Sequence, residues 1–475
     1  MTSLLIQDAE IQGEISQVRL RSGKITAIGP DLEPDPSESV MHARGGALLP
    51  GLQDHHIHLL ALAAATESVP CGPPQINDQE ALKRALKKHA SNLQPAQWLR
   101  GVGYHESVNG ELDRNRLDAL IDSHPVRIQH RSGALWILNS RALAEITPAS
   151  GIFPDGAEKD EQGRLTGRLY RADAWLRSQL GPRSLPPLSE VGQKLASFGV
   201  TGVCDATPAN GQSELEAFAR ARASGALPQN LLLMGHTELP ASPYPGIERG
   251  AVKYMLDENA LPAEDDLIAQ IKDAHGQGRG MAFHCVTRTE LVIALNALER
   301  AGATAWDRIE HASITPPDLL DWLARLPIAV VTQPNFIFER GDAYTVSVES
   351  RDQPWLYRCA GFLHAGVPLA GGTDAPFGEP NPWAAMQAAV ERRSASGTLL
   401  SLEEALSPEA ALRLFQSPLG SPGRKSNSIQ VGQPADLLLL KVPWSRARDR
   451  LDAADLQATW VDGQQIWNDG EELGQ

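Results

Sequence analysis

The sequence predicts an α/β protein: a (β/α)8 TIM-like barrel, a small β-sandwich domain formed from both chain ends, and an insertion after the first barrel strand. From about residue 199 onward, short apolar runs alternate with stretches that have the apolar spacing of helices, which predicts a parallel sheet. Seven such runs follow that point, and LLPGLQDHHIHL near residue 50 makes an eighth. Eight parallel strands in about 360 residues favour a closed barrel over an open doubly wound sheet.

The later strands predicted from these runs are GVTGVCDA, NLLLMGH, GAVKYML, GMAFHC, DRIEHAS, IAVVTQP and VPLAGGTDA. The helices predicted between them are ELEAFARARAS, EDDLIAQIKDAHGQG, ELVIALNALERAG, PDLLDWLARL and PWLYRCAGFLHAG. These strands start about 20 to 40 residues apart, whereas about 140 residues separate the histidine-rich strand from GVTGVCDA. We therefore predict an insertion subdomain over residues 65–195, placed over the strand ends as a lid or specificity element.

Both chain ends consist of short β-prone stretches bounded by Gly, Pro or Asp, such as QVRLRSGKITAIG at the front and LQATWVDGQQIWNDG at the back. Each end is too small to bury a core alone. We therefore predict one β-domain from residues 1–51 and 416–475, with residues 52–415 forming the barrel domain and its insertion.

Composition narrows the class of protein. Of the 475 residues, 42% are apolar, which supplies a sizeable core and excludes a disordered chain. The net charge of −15 disfavours nucleic acid and anionic membrane surfaces as partners, leaving a small molecule as the expected partner. The longest apolar run, LLALAAA, is too short to cross a bilayer. We recognise no secretory signal pattern in the first residues, and the four cysteines lack CxxC spacing. These features predict a cytoplasmic protein and leave homo-oligomerisation open.

The sharpest local feature is the pair of histidines in Asp54-His55-His56-Ile57-His58, on the first predicted barrel strand. Residues two apart on a strand point to the same face, so His56 and His58 can present two imidazoles to one metal ion. A lone His-x-His segment is equally compatible with two histidines that bind nothing. The other strands decide between these interpretations.

Four further strands end in a polar residue that can bind metal, and the carboxyl ends of barrel strands are where barrel enzymes place their active sites. Taken singly, the histidines could be hydrogen-bonded core residues, the aspartate a helix cap and the lysine a snorkelling side chain. Convergence on one mouth favours a shared site. The four residues are Lys253, His284, His311 and Asp374.

The chain resembles the metal-dependent amidohydrolase superfamily. The segments PGLQDHHIH, GVTGVCDA, AVKYMLD, MAFHC, RIEHAS and GGTDAPF carry the resemblance, with VGQPADLLLL and TWVDGQQIW near the end. The set is most similar to amidohydrolase family 3, the branch of YtcJ-like proteins and N-substituted formamide deformylases. The resemblance implies that divalent metal is bound by six residues: His56, His58, Lys253, His284, His311 and Asp374.

In the binuclear members of that superfamily, the fourth-strand lysine is carboxylated and bridges two ions, which implies the same for Lys253. An ammonium beside divalent cations is repelled, whereas its carbamate is an anionic ligand. A mononuclear site stays open. Imidazole and oxygen ligands favour zinc, which lowers the pKa of water and polarises a carbonyl. One departure from the relatives is Ala134, where they commonly have a histidine before the Asn139-Ser140 pair.

The implied reaction is hydrolysis of an amide-like C–N bond, with Asp374 as the general base and acid. Glu310, Arg308 and Thr373 are candidates to support the ligands, although Arg308 and Glu310 face away from Ile309 and bracing of the sheet is an alternative role.

Three other functions are weighed against this one. The first is deamination of a heteroaromatic amine. Relatives with that activity commonly have a glutamate three residues after the fifth-strand histidine, whereas this chain has Thr287 there, which argues against a deaminase. Hydrolysis of an ester, lactone or phosphoester suits the same ligands, and a barrel that binds metabolites without turnover is the non-enzymatic alternative. The substrate-binding candidates in the insertion are Tyr104, His105, Arg131 and Tyr170.

Overall fold

The computed structural model describes residues 3–73, 75–94, 96–148, 151–181 and 185–470. The chain divides into two compact units, the first made of Met1–Leu59 with Pro187–Gln475 and the second of Leu60–Pro186. In the described part of the chain, no helix has the length and apolar character needed to cross a membrane.

An eight-stranded parallel sheet forms the centre of the first unit, and every neighbouring pair in it is parallel. The first and last strands also meet, since the Asp374 amide donates to the His56 carbonyl at 2.7 Å and the His58 amide to the Ala375 carbonyl at 2.9 Å. The predicted eight-stranded barrel is confirmed. Its strands in order are β6 (Leu52–Ile57), β13 (Val200–Asp205), β14 (Asn230–Gly235), β15 (Ile247–Met255), β16 (Met281–Cys285), β17 (Arg308–His311), β18 (Ala329–Thr332) and β19 (Leu369–Gly371).

Four of the five helices that apolar spacing predicts between the strands are present. Capping is explicit at the helix after β16, where Thr287 and Glu290 form a capping box. The helices of the first unit are α7 (Ser189–Ala196), α8 (Gln212–Ala223), α9 (Glu264–Gly276), α10 (Arg288–Ala301), α11 (Pro317–Arg325), α12 (Asn335–Ser347), α13 (Ala360–His364), α14 (Pro382–Glu391), α15 (Pro408–Arg413) and α16 (Trp444–Ala447).

The prediction of one helix over PWLYRCAGFLHAG, between the seventh and eighth strands, is wrong. That segment holds a 3-10 turn at Gln353–Trp355, then Tyr357 with φ of 41°, and only then α13. A left-handed residue interrupts the hydrogen-bond ladder of a right-handed helix. The main helix after strand seven is α12, whose sequence contains a glycine and β-branched residues and lacks a regular apolar stripe.

Two four-stranded sheets come from the chain ends. They share one core, in which Ile6 and Val18 from the front pack with Leu437 and Trp460 from the back. The first sheet contains β1 (Ser3–Ile11), β2 (Glu14–Arg21), β3 (Lys24–Gly29) and β4 (Ser39–His42). The second contains β5 (Leu48–Pro50), β20 (Leu437–Leu440), β21 (Leu456–Val461) and β22 (Gln464–Asn468).

The second unit is built on a six-stranded sheet in the order β11-β12-β10-β9-β8-β7 and has its own apolar core. The predicted insertion range 65–195 reaches past this unit, because α7 belongs to the first unit. The strands of the second unit's sheet are β7 (Val69–Pro70), β8 (Leu99–Tyr104), β9 (Val126–His130), β10 (Leu135–Leu138), β11 (Ala157–Lys159) and β12 (Leu165–Tyr170). The helices of this region are α1 (Leu59–Thr66), α2 (Gln79–Ala90), α3 (Glu106–Asn109), α4 (Arg114–Leu120), α5 (Ser140–Ile146) and α6 (Asp173–Leu180).

Candidate metal centre

Three of the predicted ligands converge where the first and last barrel strands meet. One nitrogen of His56, one nitrogen of His58 and one oxygen of Asp374 all lie within 4.8 Å of one another. Asp374 Oδ1 is 3.3 Å from His58 Nε2 and 3.5 Å from His56 Nε2. The backbone brings them together because Asp374, at φ of 55°, donates its amide hydrogen to the His56 carbonyl. The three side chains therefore point their donor atoms at one place.

His311 and His284 extend this group along the barrel mouth. The His311 ring lies 4.9 Å from the His56 ring and 4.6 Å from the His284 ring, measured between centroids. Strict alternation would send His311 to the face opposite Glu310. However, His311 has φ of 69° and Ala312 has φ of 47°, so regular strand geometry ends at this histidine. All four predicted imidazoles consequently form a contiguous row.

Lys253, on β15, is buried close to the histidines. In the part of the chain that the structure describes, its Nζ atom has no hydrogen-bond partner, and the same holds for Asp374 Oδ1. Burial lowers the pKa of the Lys253 ammonium, and the opposing attraction of Glu310 only partly offsets that effect. A buried amine without a partner is costly. The structure thus leaves this lysine in an environment that disfavours the charged ammonium.

Each of three imidazoles has a polar partner on the nitrogen directed away from the group. His56 Nδ1 contacts Glu310 Oε2, His58 Nδ1 lies 2.9 Å from Thr207 Oγ1, and His311 Nδ1 lies 2.7 Å from Gln333 Oε1. Such partners orient imidazole ligands in metal sites. The sequence interpretation included Glu310 but missed Thr207 and Gln333. Thr207 lies two residues after the end of β13 and Gln333 directly follows β18, and these strand-end positions are the signal that would have found them.

Burial disfavours the charged form of three of these imidazoles, those of His56, His284 and His311, whereas the Asp374 carboxyl is held in its ionised form. Burial is the main cause that lowers the pKa of His311 to about 3 and the pKa of His284 well below its ordinary value. Burial alone would raise the pKa of Asp374, but the surrounding imidazoles, His56 first, hold that pKa below its usual range. Neutral imidazoles and an ionised carboxylate are the protonation states that bind metal.

The donor set fits a divalent ion. It combines imidazole nitrogens with a carboxylate oxygen, which is the chemistry that zinc and related ions select. Two buried polar atoms, Lys253 Nζ and Asp374 Oδ1, lack hydrogen-bond partners among the described residues, and a bound ion would satisfy Asp374 Oδ1 directly. The observed residues therefore support the six-ligand set as a proposal.

The four substrate-binding candidates all lie in the second unit. Tyr104 is fully buried in the core of that unit and donates its hydroxyl hydrogen to the Gly110 carbonyl at 2.7 Å. His105 caps α3, and Tyr170 is exposed, with its hydroxyl bonded to Arg168. Arg131 follows β9 and is close enough to His105 to lower the pKa of that imidazole, which burial lowers first. Their role with substrate stays a prediction.

The chain is similar to known proteins over nearly its whole length. The model of the amidohydrolase family matches residues 39–467. The chain is 26% identical to N-substituted formamide deformylase of Arthrobacter pascens, with 94% of each chain covered. It is 24% identical to the amidohydrolase YtcJ of Bacillus subtilis (strain 168), covering 98% of this chain and 96% of that one.

Among solved structures, a metal-dependent hydrolase from Pyrococcus horikoshii OT3 has a TM-score of 0.72 at 20% identity, covering 93% of this chain and 97% of the other. This likeness shows a common fold. The family model matches most of the sequence, and the resemblance drawn from the strand-end motifs is confirmed. The chain belongs to the amidohydrolase family and is an enzyme of that family.

Proposed function

We propose that this protein is a metal-dependent hydrolase that cleaves a non-peptide, amide-like C–N bond of a small molecule. The observation that carries the proposal is the convergence of the buried His56 and Asp374 with the half-buried His58, with His311 and His284 in the same row. The relatives named above as a formamide deformylase and an amidohydrolase support a C–N bond as the target.

The proposed metal ligands are His56, His58, Lys253, His284, His311 and Asp374. Zinc is the proposed ion, as one ion or, if Lys253 is carboxylated, two. The buried Lys253 Nζ has no hydrogen-bond partner among the described residues, and its carbamate would supply anionic oxygen ligands for the second ion. When bound, such an ion polarises the substrate carbonyl and lowers the pKa of water at the site.

Asp374 is the proposed proton carrier. Its Oδ1 accepts a proton from water as the water oxygen forms its bond to the carbonyl carbon, and the same oxygen returns that proton to the leaving nitrogen as the C–N bond breaks. The lowered pKa of Asp374 keeps its side chain in the ionised form, which is the form that can accept a proton. The imidazoles of His56, His284 and His311 stay neutral, since burial lowers the pKa of each of them.

A heteroaromatic amine deaminase is the weaker candidate. The nearest glutamate after His284 is Glu290, and its carboxylate accepts hydrogen bonds from the Val286 and Thr287 amides at 2.8 and 3.1 Å. That carboxylate caps α10 and holds the loop. It is therefore committed to backbone donors rather than to a substrate ring.

The test is turnover of the zinc-reconstituted enzyme on matched compounds: N-acyl amino acids, N-substituted formamides, cyclic imides and aryl esters. We expect hydrolysis of at least one amide class, with amine release proportional to enzyme and abolished by a chelator. Turnover of aryl esters alone would assign an esterase. Absence of turnover of every amide by metal-replete enzyme would contradict the proposal.

A further inference from the structure

A buried ion pair inside the barrel reaches one of the proposed metal ligands. Arg308 and Glu310 are 3% and 0% exposed, and the Arg308 guanidinium donates through Nε to Glu310 Oε1 and through Nη2 to Oε2, the latter at 2.9 Å. The same Nη2 donates to the His55 carbonyl at 2.7 Å. Glu310 Oε2 in turn contacts His56 Nδ1. The chain of contacts therefore runs from Arg308 through Glu310 to His56.

These contacts cross the barrel interior. Arg308 and Glu310 are two residues apart on β17, so both point to one face of the sheet. The strands beside β17 are β16 and β18, whereas His56 lies on β6, which neighbours β13 and contacts β19. Glu310 thus supports the His-x-His strand from across the barrel rather than from an adjacent strand.

The bond to His56 has a chemical consequence. A carboxylate held by both nitrogens of a guanidinium fork can only accept hydrogen bonds. The shared proton must therefore come from His56 Nδ1, which leaves the lone pair on Nε2. That Nε2 atom is the one 3.5 Å from Asp374 Oδ1, on the opposite edge of the ring from Glu310.

We infer that Glu310, clamped by Arg308, is a positioning residue that holds His56 in the tautomer and orientation required for metal binding at Nε2. The inference rests on the proposed function, since it concerns the affinity of that metal centre. Simple bracing of the sheet needs only the bonds from Arg308 to Glu310 and to the His55 carbonyl. The additional contact between Glu310 and His56 Nδ1 is not needed for bracing, and it links the Arg308–Glu310 pair to a proposed metal ligand.

The chain offers a matched control in a second buried pair. Arg358 donates to Glu404, which is 4% exposed, and the other oxygen of Glu404 accepts from the backbone amides of Cys359 and Gly361. This pair involves no proposed ligand. Glu404→Gln therefore reports what loss of a buried arginine–glutamate pair does by itself.

The experiment compares Zn²⁺ affinity, by chelator competition, in the parent, Glu310→Gln and Glu404→Gln. In Glu310→Gln the amide oxygen turns toward Arg308 and its N–H group faces His56 Nδ1, which shifts the imidazole proton to Nε2. We expect about 10- to 100-fold weaker binding, the usual effect of removing such an outer partner, and an altered Co²⁺ absorption spectrum. Glu404→Gln should stay within about twofold of the parent.

Two double variants separate positioning from folding. Arg308→Met with Glu310→Gln frees the glutamine oxygen to accept from His56 Nδ1, whereas Arg308→Met with Glu310→Met removes every acceptor at similar volume. Neutral replacement of a buried pair is usually tolerated. We expect the glutamine form to bind Zn²⁺ about tenfold more tightly than the methionine form, and more tightly than Glu310→Gln alone.

Equal affinity of the two double variants, or equal losses in Glu310→Gln and Glu404→Gln, would overturn the inference. A parent protein that takes up no metal would refute the proposed function as well. Metal-binding parent protein with unchanged Glu310→Gln affinity would refute the positioning role alone.

Discussion

Asp54 and Thr373 join the first and last barrel strands at the metal centre. Thr373 Oγ1 donates to Asp54 Oδ2 at 2.5 Å, and the Thr373 amide donates to Asp54 Oδ1 at 3.1 Å. Asp54 lies two residues before His56, and Thr373 lies one residue before Asp374. The contact therefore sets the distance between two proposed ligands that come from the first and the last strand of the barrel.

Thr373→Val should weaken both the fold and the metal centre. The change leaves the buried Asp54 carboxyl without its hydroxyl donor, which costs about 1 to 3 kcal/mol in free energy of unfolding. It also loosens Asp374 relative to His56, so Zn²⁺ affinity should fall. Thr459→Val is the control, because the Thr459 hydroxyl on β21 is buried and donates to the Ala196 carbonyl at the end of α7. Equal Zn²⁺ affinity in both variants would contradict this role for Thr373.

The purified protein should bind at least one equivalent of divalent metal after reconstitution at neutral pH. His58→Ala removes a donor 3.3 Å from Asp374 and should lower the metal content measured by elemental analysis. His275→Ala is the control, since His275 pairs with Asp307 away from the proposed ligands. Folded parent protein with less than about 0.2 equivalents would refute the metal centre.

Lys253→Met should remove the second ion. If Lys253 is carboxylated and bridges two ions, replacing it abolishes the bridge and lowers metal stoichiometry from about two to about one. Bicarbonate during reconstitution should raise the stoichiometry of the parent and leave the variant unchanged. Lys194→Met, at a surface ion pair with Glu379, serves as the control. A stoichiometry unaffected by Lys253→Met would show that no bridge exists.

Asp374→Asn should lower kcat by roughly 10²-fold or more, because the amide retains the size of the side chain but cannot accept a proton. Metal content must be measured on the same sample, since Asp374 is also a proposed ligand. A metal-replete variant that keeps more than about half of the parent kcat would make Asp374 a ligand only. His236, directly after β14, would then be the next candidate base.

The Asp436 carboxyl, which is not one of the proposed metal ligands, should make the free energy of unfolding depend on pH. Burial is the first cause that raises the pKa of Asp436 to about 6 from 3.8, and the Asp462 carboxylate adds repulsion. Between about pH 4 and 6 the native carboxyl keeps its proton while the unfolded one loses it, so the free energy of unfolding falls as pH rises.

Asp436→Asn removes this titration. The parent should therefore lose more unfolding free energy between pH 4 and pH 7 than the variant does, so the variant should gain stability relative to the parent as the pH rises. Denaturant unfolding of metal-free protein at both pH values measures it, so that metal release at low pH makes no contribution. An identical difference in parent and variant would contradict the raised pKa of Asp436.

The barrel strands were predictable because their signals are local. Each of the eight is a short apolar run ended by a polar residue or turn, and seven of the observed strands fall inside the predicted segments, while β15 begins three residues before GAVKYML. The helix α12 was not predictable in this way, since its residues lack a regular apolar stripe and tertiary packing selects its conformation. The left-handed backbone conformation of Tyr357 was likewise not predictable from the sequence.

For the site, the sequence by itself determined which residues end the strands: the His56 and His58 pair, Lys253, His284 and His311, and Asp374 beyond the last strand. Only the tertiary structure decided which atoms meet and which neighbours orient them. Glu310 contacts His56 across 254 positions of sequence, and Asp54 meets Thr373 across 319. The physical reason is that periodicity acts over a few residues, whereas imidazole orientation depends on groups brought together by barrel closure.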